Sequence, residues 1–237
     1  MTPPPENRAA PIGLLVATEW EARGLVQGLA LRKTGPGLYE SRDLKNAILL
    51  RISGMGQARA RAAAESLLSA KPSIVLSAGF AGALQESVNP GDLVLDASRS
   101  DPTVIAPMED AARKKKIPFH RGAFWSGDRP LMRGGEKKVM GLKTGAIAVE
   151  MEGQSIFLAC RERGVPFCAV RAVSDACGQD LPSSIAALEP DGKTGLRFWK
   201  SLAAHPREWP DLIRLARSSA KAGKNLTAVL KEFLCAV

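Results

Sequence analysis

Residues 146–175 constrain the fold of this chain more than any other segment. The apolar run at 146–149 is typical of a buried strand, and it ends at two acids that flank a methionine. A helical pattern follows until Gly-Val-Pro at 164–166 breaks it, and residues 167–173 predict a second buried strand that ends at Ser174 and Asp175. Polar residues therefore follow both strands of one strand–helix–strand unit. In an open α/β sheet that edge is where ligands bind.

Strands and helices alternate along the rest of the chain, which predicts a three-layer α/β/α fold with a twisted, mostly parallel central sheet. A hairpin near residues 38–52 makes the sheet mixed. We expect a glycine-rich turn at 79–82 and a loop at 98–107. Further strands are predicted at 12–18, 47–52, 74–78, 93–97 and 119–126, and helices at 19–29, 57–69, 135–142 and, in two parts, 196–233.

The length of 237 residues suits one sizeable domain, which we place at residues 11–237. Residues 1–10 are polar and proline-rich, so we expect them to be disordered or loosely held. They lack the apolar core of a signal peptide, and no apolar run approaches the roughly 20 residues that span a bilayer. A cytoplasmic location is the resulting expectation.

Cysteine and histidine usage argues against metal chemistry. The four cysteines form no C-x-x-C pair, and the two histidines suggest no metal-ligand cluster. We therefore expect no metal and no cofactor. Because histidine is so scarce, acid–base work must fall to carboxylates.

The net charge of +9 is concentrated between residues 113 and 138, where nine Lys or Arg face two acids. Aromatic residues are not interleaved with these charges as they are in single-strand nucleic-acid binders, so we expect no nucleic-acid partner. Two interpretations stay open: a solvated basic face, or a surface that meets anionic lipid and gives peripheral membrane association.

The central unit resembles a known family. V-E-M-E at 149–152, V-P-F at 165–167 and V-R-A-V-S-D at 170–175 follow the pattern of the purine nucleoside phosphorylase and nucleosidase superfamily. The branch of methylthioadenosine/S-adenosylhomocysteine nucleosidase is the most similar, over roughly residues 12–179. From residue 180 onward the tail resembles the hopanoid-associated nucleosidases, which remove adenine from adenosylhopane.

The resemblance assigns two catalytic residues. Asp175, with Ser174 before it, matches the acid that faces purine N7 and protonates the departing base. Glu21 matches the acid that orients and deprotonates the attacking water, although an acid in the first turn of a helix also stabilises that helix by itself.

The ribose platform of the family matches Met151 and Glu152. The methionine would pack under the apolar sugar face, and the carboxylate would accept hydrogen bonds from the 2′- and 3′-hydroxyls. Glu150 should point elsewhere. A simpler interpretation of Glu150 and Glu152 is that both are acids that stabilise a helix N-terminus.

Two glycine-containing stretches complete the predicted substrate-binding set. Ser53 and Gly54 resemble the glycine turn beside the nucleophile, although an ordinary turn explains them equally well. Gly79 and Phe80 begin a match to the G-S-x-G turn of the family, with Phe80 in place of a small polar residue. Phe80 would then be apolar lining or simply core.

The predicted function is hydrolysis of the N-glycosidic bond of a 5′-substituted adenosine, with adenosylhopane as the leading candidate. No arginine stands at 17–19 or 77–78, where phosphorylases of the superfamily hold phosphate, and this favours water as the nucleophile. A methylthioadenosine/S-adenosylhomocysteine nucleosidase, a phosphate-dependent phosphorylase, a futalosine hydrolase and a nucleoside-binding protein without catalysis stay open as alternatives. The resemblance also implies a homodimer, because in relatives a second subunit completes the 5′ pocket.

Overall fold

The computed structural model describes residues 10–41, 46–189 and 192–236. The predicted loose N-terminus lies outside the described residues except for Ala10, and so do Pro190 and Asp191 of the tail. The described strands are β1 (Ile12–Val16), β2 (Arg32–Gly35), β3 (Leu38–Ser41), β4 (Ile48–Ile52), β5 (Ile74–Ala83), β6 (Leu93–Asp96), β7 (Phe119–Gly122), β8 (Phe124–Ser126), β9 (Ala148–Glu150) and β10 (Phe167–Asp175). The described α-helices are α1 (Glu19–Gly28), α2 (Gln57–Leu68), α3 (Pro102–Lys114), α4 (Gly134–Thr144), α5 (Gly153–Glu162), α6 (Leu196–Ala204) and α7 (Trp209–Ala236), with short 3-10 helices at Ser183–Ala187 and Pro206–Glu208.

The strands form one mixed sheet in the order β2-β3-β4-β1-β5-β10-β6-β7, with β9 paired to β5 and β8. The central neighbours β4, β1, β5 and β10 run parallel, and the hairpin at β2–β3–β4 and the β10–β6 pair are antiparallel. Side chains of β1 alternate between faces, so Leu14 packs with α1, α3 and α7, whereas Leu15 packs with α2 and α5. The predicted three-layer α/β/α architecture is confirmed.

The glycine-rich turn predicted at 79–82 is wrong. β5 continues through these residues, because Gly79 to Gly82 pair with β10 and Gly82 and Ala83 also pair with β9. Glycine and alanine leave room for strands to approach on both sides. The strand therefore runs on past its neighbour β1 and carries backbone groups to the edge where the candidate residues lie.

β9 reaches that edge in a way the sequence did not predict. It runs antiparallel to β5, with Val149 opposite Gly82, and it is not hydrogen-bonded to β10. Because β9 runs antiparallel from the last residues of β5, the chain at Glu150 heads back along β5 and not beyond its end. The strand–helix–strand unit brings its acids together through β5, which lies between its two strands.

The loop predicted at 98–107 is also wrong, since α3 begins at Pro102. Asp101 caps the helix by accepting hydrogen bonds from the backbone N–H (2.9 Å) and hydroxyl (2.6 Å) of Thr103. Pro102 occupies the first turn, where its missing N–H costs nothing. Pro107 lies inside the helix, where burial of neighbours such as Ile105 and Met108 outweighs its cost.

The basic segment at 113–138 is largely neutralised. Eight of its nine basic side chains form ion pairs, several of them with acids distant in sequence, such as Lys115 with Glu232 and Lys138 with Glu86. A paired surface attracts anionic lipid less than isolated charges would. Among the described residues no helix is long and apolar enough to cross a membrane. Peripheral membrane association and the homodimer stay predictions.

Candidate active site

One cleft at the carboxyl edge of the sheet gathers most of the predicted residues. Its cavity volume is about 210 Å³. Ser53 borders a small gap beside the cleft, and Glu21 and Glu152 border the same gap. Gly54 is buried and does not line the cleft. The predicted residues that line the cleft are Glu21, Phe80, Met151, Glu152, Ser174 and Asp175.

Glu21 lies in the first turn of α1 and has two roles in the structure. Its Oε2 accepts hydrogen bonds from the N–H (2.8 Å) and hydroxyl (3.0 Å) of Thr18, which forms a capping box. Its Oε1 accepts the backbone N–H of Phe80 at 2.8 Å. A carboxylate oxygen offers two acceptor sites, so Oε1 keeps one for a ligand or water in the cleft. The helix-capping interpretation is correct, and it also aims the carboxylate at the site.

Gly79 makes this approach of Glu21 to β5 feasible. A Cβ at position 79 would overlap Glu21 Oε1. The glycine predicted to bind substrate is therefore buried behind the carboxylate, and its contribution is the space that it leaves.

Glu152 follows β9 and is only 8% exposed. Its Oε1 accepts the N–H of Gly56 at 2.8 Å, so the glycine turn after β4 holds this carboxylate in place. Gly56 adopts a positive φ of 96°, which favours glycine. Burial, then the nearby charges of Glu150 and Glu21, raise the pKa of Glu152 to about 7. The carboxyl group therefore changes charge near neutral pH.

Glu150, which also borders the cleft, forms a buried ion pair with Arg171 at 3.0 Å. Burial by itself would raise the pKa of Glu150, but Arg171 and hydrogen bonds from Ser126, Gly153 and Glu152 hold that pKa below its usual value. Arg171 also donates to the backbone and hydroxyl oxygens of Ser77 on β5. Sequence reasoning missed Arg171, although a single arginine inside an apolar strand signals a buried partner.

Asp175 is held by two donors. The register of β10 shifts between Val173 and Asp175, which turns this carboxylate toward the cleft. Ser174 donates its hydroxyl to Asp175 Oδ1 at 2.6 Å, and Lys137 of α4 donates its ammonium to Oδ2. Sequence reasoning missed Lys137 too, because nothing in its local pattern separates it from the other basic residues at 113–138.

A second, larger cavity opens beside the cleft. Its volume is about 970 Å³, and α1, α6, α7 and the 3-10 helix at Ser183–Ala187 contribute to its mainly apolar walls. Phe80 lines the cleft and packs edge-on against Trp20, with ring centroids 6.2 Å apart. Phe80 also packs against the main hydrophobic core, so both predicted alternatives, apolar lining and core, apply to it. The two cavities share the wall residues Trp20, Ile185, Leu188 and Leu215.

Replacing Gly79 by alanine tests the packing of β5 against Glu21. The added methyl group should displace the carboxylate and break its bonds to Phe80 and Thr18, which we expect to lower the free energy of unfolding by about 1–2 kcal/mol. Gly135→Ala is the control, since open space surrounds that position. Urea denaturation measures both. A Gly79→Ala protein as stable as the wild type would contradict this account of Glu21.

The chain matches one protein family and several solved structures. The model of the Phosphorylase superfamily matches residues 11–97 and 95–191. A 5′-methylthioadenosine/S-adenosyl homocysteine nucleosidase from Helicobacter pylori matches with a TM-score of 0.75 at 18% identity, covering 97% of this chain and 100% of that one. Futalosine hydrolase from the same organism gives 0.74 at 18%, covering 96% and 98%. The S-adenosylhomocysteine nucleosidase from Streptococcus pyogenes gives 0.74 at 21%, covering 97% and 98%. Since the family model matches more than half of the residues, the chain belongs to the Phosphorylase superfamily.

Proposed function

We propose that this protein hydrolyses the N-glycosidic bond of a 5′-substituted adenosine and releases adenine. The observation that carries the proposal is the arrangement of Glu21, Glu152 and Asp175 around one cleft, with Met151 between them in its wall. The sugar would lie on Met151 with its hydroxyls at Glu152, and the purine at Ser174 and Asp175. The structural neighbours include a nucleosidase and a futalosine hydrolase, and this supports the same class of reaction.

Hydrolysis of the N-glycosidic bond requires three separate functions from these carboxylates. As the bond to the base breaks, the purine gains negative charge, and a proton delivered to N7 from Asp175 relieves it. The ribosyl centre gains positive charge, which neighbouring carboxylates stabilise. Glu21, which keeps an acceptor site on Oε1, orients water for attack and takes its proton.

Water suits this site better than phosphate. The residues that line the cleft and the small gap beside it include one arginine, Arg171, which lies close to the predicted nucleophile position. Its side chain donates to Glu150, Ser77 and Val170. A phosphate dianion next to Glu21 and Glu152 would meet like charges without a free cation to offset them.

Product analysis with and without phosphate tests the proposal. We expect adenine and a free 5′-substituted ribose from the wild type, at the same rate in phosphate and in a phosphate-free buffer. Asp175→Asn should lower turnover by about 10²–10⁴, the usual range for a lost general acid. Ribose 1-phosphate among the products would identify a phosphorylase, and release of no adenine from any adenosine derivative would exclude the proposed reaction.

The larger cavity supports a bulky apolar 5′ substituent, with adenosylhopane as the leading candidate. Its volume of about 970 Å³ lies at the upper end of ordinary ligand cavities, and a methylthio group would leave most of it empty. Apolar side chains from Trp20, Phe198, Trp199 and Leu212 would bury such a substituent. The alternative is a methylthioadenosine/S-adenosylhomocysteine nucleosidase, the class to which the structural neighbour from Helicobacter pylori belongs.

A series of 5′-alkylthioadenosines measures the contribution of this cavity. We expect kcat/KM to rise by about fourfold for each added methylene until the cavity is filled, because burying one methylene contributes about 0.8 kcal/mol. Ala216→Trp should remove this dependence, since Ala216 lines the cavity. Ala220→Trp, one helical turn further along α7 and also exposed, is the matched control. Higher kcat/KM for methylthioadenosine than for every longer substrate would favour the alternative.

The pKa of Glu152 predicts a pH dependence. Below about pH 7 this carboxyl group is mostly protonated and accepts the ribose diol poorly, and above it the ionised form accepts both hydroxyls. Because kcat/KM reports groups of the free enzyme, it should rise by roughly tenfold between about pH 6 and about pH 8. Glu152→Gln cannot ionise and should lose this limb. The same limb in the Gln variant would assign it to another group.

A further inference from the structure

Lys137 is a fully buried lysine in a site that otherwise holds acids. Only 1% of its side chain is exposed, although it is a long cation on a surface helix. Helix α4 carries it inward because two glycines let the helix approach its neighbours closely. A Cβ on Gly134 would overlap the backbone of Gly178, and one on Gly141 would overlap the carbonyl oxygen of Leu84. An ordinary solvated lysine does not explain this burial.

The ammonium group of Lys137 uses all of its donors inside the protein. It donates to Asp175 Oδ2, to the carbonyl oxygen of Gln179 at 2.8 Å and to that of Ala176 at 3.2 Å. A lysine has three N–H donors and no acceptor, so none is left for a substrate. Lys137 can therefore act on the reaction only through Asp175.

Asp175 accepts a hydrogen bond from each of two neighbouring side chains. Lys137 donates to Oδ2 and the Ser174 hydroxyl donates to Oδ1. Each oxygen of this carboxylate thus has a donor of its own. A buried ammonium proton therefore lies one hydrogen bond away from the group that faces the purine in the proposed reaction.

We propose that Lys137 holds the proton for the leaving purine and passes it on through Asp175. The inference rests on the proposed function. As the N-glycosidic bond breaks, the Lys137 ammonium gives one proton to the Asp175 carboxylate, and the Asp175 carboxyl group gives one proton to purine N7. Lys137 is left as a neutral amine and Asp175 again as a carboxylate. After adenine leaves, Glu21 releases to solvent the proton that it took from the attacking water, and Lys137 takes up one proton from solvent through Asp175, so that both groups return to their starting state.

A fixed positive charge is the competing explanation, in which Lys137 only orients Asp175. Arginine separates the two roles. Lys137→Arg keeps a cation with donors for the same three acceptors, but a guanidinium does not give up its proton in a protein. Lys137→Met removes both the charge and the proton. The relay therefore predicts that arginine fails to rescue, whereas orientation predicts that it succeeds.

The experiment measures two leaving groups on the same 5′-substituted ribose. Adenine needs a proton to leave, and 4-nitrophenolate does not. For both Lys137→Met and Lys137→Arg we expect kcat for adenine release to fall by about 10²–10⁴, with KM little changed. Release of 4-nitrophenol from the matching riboside should stay within about threefold of the wild type, which also shows that the variants fold and that the sugar site is intact.

Two results would overturn the relay. Recovery of adenine release in Lys137→Arg would show that a fixed cation suffices. An equal loss of both leaving groups in Lys137→Arg would assign Lys137 to the architecture of the site. If Lys137→Met does not fold, Lys137→Arg alone decides between these outcomes. Failure of the proposed function itself would show in the wild type, as absence of adenine release.

Discussion

The buried ion pair between Glu150 and Arg171 is the interaction on which the rest of the site depends. It joins β9 to β10, and through the bonds of Arg171 to Ser77 it joins both to β5. Removing one partner of such a pair typically costs about 3–5 kcal/mol, because the other charge stays buried alone. Glu150 also accepts the N–H groups of Glu152 and Gly153, so the same pair sets where α5 begins and where the Glu152 side chain can reach.

Three carboxylates in one poorly solvated cleft would repel each other, and the structure stabilises each one differently. Glu21 accepts N–H and O–H donors from Thr18 and Phe80. Glu152 has one backbone donor, from Gly56, and its raised pKa lets it stay neutral until near pH 7. Asp175 has the ammonium of Lys137. These three environments suit the three tasks of the proposed reaction, which carboxylates in equivalent surroundings could not divide.

The larger cavity takes part of its wall from residues beyond those that match the Phosphorylase superfamily. The carboxylates lie within the residues that match the Phosphorylase superfamily, whereas Phe198, Trp199 and Leu212 of the larger cavity lie beyond residue 191. Under the proposed function, α6 and the first turns of α7 would therefore affect the choice of the apolar 5′ substituent more than they affect the bond that is cleaved.

The sequence by itself determined the layers of the fold and three of the acids, because buried strands read as apolar runs and because local motifs such as V-E-M-E and S-D carry family information. It could not show that residues 79–82 extend a strand, since glycine favours a turn until β9 and β10 pair on both sides. Nor could it single out Lys137, and for Arg171 it indicated only that a buried partner exists and not which residue that partner is. Their partners lie 38 and 21 residues away, and a cation becomes part of a site only when tertiary packing removes it from water and brings an acid to it.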